Sequence, residues 1–66
     1  MRDIWTANLV AKMHLYEISY LDLGNKLGVT NHYVGMVLNG LRKPSGAQAR
    51  FEAAVDEIIR EKATQQ

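Results

Sequence analysis

The chain has 66 residues, a net charge of +1 and no cysteine, which leaves room for one domain with a small core and excludes a disulfide framework or a thiolate metal site. A domain of this size buries only about 60% of the surface its unfolded chain exposes, so self-association is the remaining route to further burial. There is no charged-then-apolar leader pattern at the start and no run of about 18 apolar residues, so a cytoplasmic, soluble protein is expected.

Taken in chain order, the residues read as four helices in a single domain spanning 1–66. The first is expected to start at Asp3, whose carboxylate can cap free amides, and to run to about Tyr16. Its apolar stripe is Trp5, Leu9, Met13 and Tyr16, broadened by Val10. Ser19 opens the second helix with Asp22 three residues on, a capping box in which each side chain satisfies the other's free amide. Gly28 stops that helix, because glycine can take the left-handed conformation a helix C-terminus needs.

Thr30 is the expected cap of a third helix, about 30–39, which Gly40 ends in the same left-handed way, with Leu41 folding back on the last turn. After Arg42, Lys43 and Pro44, Ser45 is expected to cap a fourth helix, about 45–62, striped by Phe51, Ala54, Val55, Ile58 and Ile59. The tail from Ala63 to Gln66 is expected to fray.

Two short helices separated by Gly28, Val29 and Thr30, with apolar residues at Leu23, Leu27, Val29, Val34, Val37 and Leu38, form the pattern of a helix-turn-helix, core about 19–40. Packing uses those apolar positions and leaves Thr30, Asn31, His32, Met36 and Asn39 on the opposite face of the third helix. Charge follows the same division. Residues 1–22 carry Arg2 and Lys12 against Asp3, Glu17 and Asp22, and residues 51–66 carry Arg60 and Lys62 against Glu52, Asp56, Glu57 and Glu61. Between them stand Lys26, Arg42, Lys43 and Arg50 with no acid, where phosphates would have to be met.

The segment 18–44 resembles the Cro/cI-type, or XRE-like, helix-turn-helix regulators of phages and bacteria. The resemblance rests on Gly24, three residues, Gly28, then Val34 and Val37 six and nine positions later, and on the exit Leu38-Asn39-Gly40-Leu41-Arg42-Lys43-Pro44, which is similar to the family's xNGxRxP. It implies an all-α, lambda-repressor-like domain of four to five helices whose third helix enters the major groove of operator DNA. The family more often has alanine where Gly24 stands and a larger residue where Gly35 stands. Gly24 fits a close crossing of two helices, where a side chain larger than a methyl would push them apart, or is simply a tolerated helix glycine. Gly35 weakens its helix and removes bulk where the backbone could approach DNA closely.

For base readout the candidates are Asn31, His32 and Met36. Asn31 sits in the first turn and its amide can bond adenine N6 and N7 bidentately, although it could instead serve as a second cap. His32 can meet guanine N7 or a phosphate, or be a solvated surface histidine. Met36 can touch a thymine methyl, or fill a gap against a neighbour.

For phosphate contact the candidates are Tyr20, Thr30, Tyr33, Asn39, Arg42 and Lys43. Tyr20 holds the position that the family uses for this contact. Tyr33 could equally pack on the first helix, and Asn39 could equally cap the third. Arg42 and Lys43 follow the recognition helix on a loop that would pass near the DNA backbone. Lys26 reads as solvated on the outer face of the second helix, and Arg50 could do either.

His14 and His32 lie on different helices, and no metal-spaced carboxylates, nucleophile elbow or phosphate loop accompany them, so no enzyme, metal or cofactor is expected. The expected function is a sequence-specific, double-stranded-DNA-binding transcriptional regulator. It is expected to act as a homodimer, formed in solution or only on DNA, because the chain reads as four helices where the family commonly continues into a fifth. The alternative is a protein-binding module on the same fold, an antitoxin or anti-repressor, leaning on exposed Leu21, Leu41 or Ile59. Helix packing would otherwise account for Leu21 and Ile59, and a C-cap contact for Leu41.

Overall fold

The computed structural model describes residues 3–64 and is all-helical: α1 (Ile4–Leu15), α2 (Tyr20–Leu27), α3 (Asn31–Leu38) and α4 (Ala47–Thr64). No helix among the described residues is long and apolar enough to cross a membrane. Each of α2 and α1 packs against both α3 and α4. The core lies where the four apolar faces meet, and joins Leu9 and Met13 of α1, Ile18, Leu23 of α2, Val34, Val37 and Leu38 of α3, and Ala47, Phe51, Ala54, Val55 and Ile58 of α4. Trp5 closes one end of it edge-on to Phe51, ring centroids 6.2 Å apart, a favoured geometry because the positive ring edge meets the negative face.

Local signals set most boundaries. The Ser19 hydroxyl accepts the Asp22 N–H and the Asp22 carboxylate accepts the Ser19 N–H, both at 3.0 Å, so the capping box is present. Gly28 ends α2 at φ 77°. At the end of α3, Gly40 at φ 81° lets its own N–H reach Val37 O at 3.1 Å and the Leu41 N–H reach Met36 O at 2.9 Å, which satisfies carbonyls the helix would otherwise leave open. The end of α1 has the same two bonds, from Glu17 N–H to His14 O and from Ile18 N–H to Met13 O. There Glu17 occupies the left-handed position, φ 57°, and buried Ile18 anchors the turn.

Several expectations need correction. Asp3 is the N-cap residue of α1 by backbone, but its carboxylate makes no capping bond and lies instead 3.5 Å from Lys43 Nζ. Tyr16 is outside the stripe of α1, being its C-cap residue and 43% exposed. Thr6 takes a buried place instead, on the same face as Leu9 and Met13, with its hydroxyl donating to Asp3 O at 2.6 Å. The helix α4 opens at Ala47 and not at Ser45, because Gly46 at φ 76° turns the chain and its carbonyl accepts the Arg50 N–H. Ala63 and Thr64, expected to fray, continue α4, the Thr64 hydroxyl donating to Glu61 O. Gln65 and Gln66 lie outside the described residues.

Gly24 is a packing requirement stricter than expected. A Cβ there would stand 2.7 Å from Val29 O and 3.2 Å from the Thr30 carbonyl carbon. The obstacle is backbone that cannot swing aside, so even a methyl is too large, and the glycine sets how closely α2 approaches the start of α3.

Candidate nucleic-acid interface

The first turn of α3 is organised by Thr30, whose backbone is extended (φ −78°, ψ 157°) and whose Oγ1 accepts the Tyr33 N–H at 3.0 Å. One hydroxyl therefore does the capping. Asn31, the first residue of the helix, is exposed, and its amide has no intramolecular hydrogen-bond partner among the described residues. His32 is exposed beside it.

Asn31, His32, Gly35 and Met36 of α3 and its C-cap residue Asn39 line one shallow, open depression of about 330 Å³ together with Tyr20 of α2 and Leu41. The helical steps from 32 to 35, 36 and 39 bring these residues to one face. No carboxylate of the described residues lines it. Tyr20 is half-buried, and its ring carbons Cε2 and Cδ2 lie 3.4 and 3.5 Å from where a Cβ on Gly35 would stand. The Tyr20 ring therefore lies on α3 at Gly35, close enough to touch a methyl there but not to exclude one.

The other expected contacts divide. Asn39 Nδ2 donates to Gly35 O at 2.8 Å, so its amide holds the last turn of α3. Tyr33 is half-buried against the core and does not line the depression. Arg42 and Lys43 are exposed on the loop between α3 and α4. Lys43 faces Asp3, whereas Arg42 pairs with no acid among the described residues. Leu41 folds back through its backbone alone and leaves its side chain 75% exposed. Leu21 is 58% exposed, so helix packing does not account for it, while Ile59 is half-buried against the core.

Lys26 is not solvated as expected. Its ammonium lies 2.6 Å from Glu61 Oε2 and 3.4 Å from Glu57 Oε1, with the side chain only 26% exposed. The hydrogen bond to Glu61 holds the Lys26 ammonium above its ordinary pKa against the opposing effect of partial desolvation. Lys12 is likewise paired, 2.7 Å from Asp56, which raises the lysine and lowers the carboxylate. Asp56, Glu57 and Glu61 of α4 are thereby turned toward α1 and α2. Glu57 and Glu61, four residues apart on one helix face, were a readable signal for such a partner, but nothing local names Lys26 as the residue they meet.

Among the described residues no three His, Cys, Asp or Glu side chains are grouped as a metal ion would need. Comparison of the chain with family models, curated proteins and solved structures finds no match.

Proposed function

We propose that this chain is a cytoplasmic, sequence-specific DNA-binding regulator of the Cro/cI helix-turn-helix kind, with α3 entering the major groove. The observation that carries the reading is the exposed, uncapping Asn31 beside exposed His32 on the first turn of α3, in a depression that no carboxylate lines. An amide in that place has the donor and acceptor that adenine N6 and N7 require. Tyr20 and Thr30 flank the face, the Thr30 hydroxyl still having its proton to donate to a phosphate. Arg42, exposed and next to Leu41 in the chain, supplies a cation for the DNA backbone. The protein binds as a homodimer, each copy reading one half-site, with half-site centres about 34–36 Å apart.

The test is selection of preferred sequences from random duplex DNA, followed by binding titrated between low and physiological salt. The reading expects an enriched inverted repeat with one-turn spacing and affinity that falls steeply with salt. Absence of enrichment, with weak binding that disappears at physiological salt, overturns it. That outcome favours the protein-binding alternative, for which the exposed side chains of Leu21 and Leu41 are the supporting observation.

A further inference from the structure

Polar groups make up only part of the depression on α3. The rest of its lining is apolar: the Tyr20 ring, the bare backbone of Gly35, the Met36 side chain and Leu41. These four come from three separate places in the chain. Tyr20 enters from α2 with its ring lying on α3 at Gly35, where an added Cβ would stand 3.4 Å from it, and Leu41 arrives because the left-handed turn at Gly40 brings the chain back over the last turn of α3. A leucine left 75% exposed at that point contributes little to stability. It is an apolar group presented to whatever the depression receives.

We propose that this apolar part of the depression receives the 5-methyl group of a pyrimidine in the major groove, and that Leu41 and Met36, with the Tyr20 ring seated over Gly35, determine specificity for it. The inference rests on the DNA-binding reading and deepens it. Thymine is distinguished in the major groove by one acceptor and one methyl group. The methyl is the only apolar group a base edge offers there, and the surrounding amides and imidazole leave it the apolar wall as its favourable contact. The absence of carboxylates from the lining matches the same occupant, because the groove on either side is walled by phosphates. The same chemistry would accept 5-methylcytosine, which has the methyl but an amino donor in place of the acceptor.

The test uses the sequence recovered by selection. Each thymine in it is replaced singly by deoxyuridine, which removes the methyl and leaves pairing and the O4 acceptor intact. Wild-type protein is expected to lose about four-fold in affinity at one thymine per half-site, the value of one buried methyl-sized group. That loss is expected to vanish in Leu41→Ser, whose exposed position leaves the fold undisturbed, and in Gly35→Leu, which fills the seat of the Tyr20 ring. Cytosine placed at the same position is expected to bind more weakly than 5-methylcytosine there, and a preference for 5-methylcytosine over thymine would assign the methylated cytosine as the natural source. An enriched sequence with no deoxyuridine-sensitive thymine, or a sensitivity that Leu41→Ser leaves unchanged, overturns the inference and leaves DNA binding standing. No enriched sequence at all overturns both.

Discussion

Two glycines of this chain look alike in sequence and have opposite roles in space. A Cβ at Gly24 would stand 2.7 Å from Val29 O, while one at Gly35 would make ordinary contact with the Tyr20 ring at 3.4 Å. Gly24→Ala is therefore expected to lower stability by about 1–3 kcal/mol through overpacking against backbone. Gly35→Ala is expected to raise it by up to about 1 kcal/mol, the helix propensity that glycine forgoes. Denaturant midpoints of the two variants, measured side by side, check the contrast, and equal losses would refute it. Asn31 belongs to the same scale, since Thr30 caps α3 without its help. Asn31→Ala should leave the midpoint nearly unchanged yet cost about 1–3 kcal/mol on the preferred DNA sequence and relax specificity at one position. Equal losses on specific and random DNA would remove Asn31 from base readout.

At the scale of the element, helix ends account for much of the order in so short a chain. Ser19 and Asp22 close the start of α2 reciprocally, and Ser19→Ala should cost about 0.5–2 kcal/mol. The Asp22 carboxyl is held below its ordinary pKa of 3.8, first by the Ser19 N–H and then by the Ser19 hydroxyl. A folded value lower than the unfolded one means that the contribution is complete above the unfolded value. It is then lost as pH falls through the folded one. Thermal unfolding followed from about pH 5 to pH 2 should show an acid-induced loss that is smaller in Asp22→Asn, which has no proton to take up. At the end of α1, Glu17 sits at φ 57°, a conformation that costs a side-chain-bearing residue roughly 1 kcal/mol or more. Glu17→Gly should raise the thermal midpoint, and a fall would show that the Glu17 side chain contributes more than its backbone costs.

Over the whole molecule, the distribution of paired and unpaired cations separates the side where lysines are tied into the fold from the side proposed to meet DNA. Lys12 and Lys26 are tied to acids of α4, while no carboxylate of the described residues lines the depression on α3 and Arg42, next to Leu41 in the chain, is unpaired among them. A cation already paired within the fold has no counterion to displace from DNA. Arg42→Ala should therefore lower the slope of log affinity against log salt by about one, and Lys26→Ala should leave that slope unchanged. Matching slopes for the two variants would show that Lys26 leaves its acids to meet phosphate.

The number and type of the helices, the capping box at Ser19, the left-handed stops at Gly28 and Gly40 and the apolar stripes of α2, α3 and α4 were legible in the sequence. These depend on residues within about four positions of one another, where helix geometry is the same in any fold. The exposed positions of Asn31 and His32 on the first turn of α3 followed from the same period. Where local chemistry allowed two outcomes, as for the carboxylate of Asp3, the side chain of Tyr16 or the start of α4 at Ala47, only the packed structure chose. The tightness of the α2–α3 approach at Gly24, the seat of Tyr20 over Gly35, the exposure of Leu41 and the pairing of Lys26 with Glu61, 35 residues away, were decided by tertiary structure alone. Each depends on the separation and angle of helices that meet only after the core has formed, and no periodicity within one helix encodes the position of its neighbour.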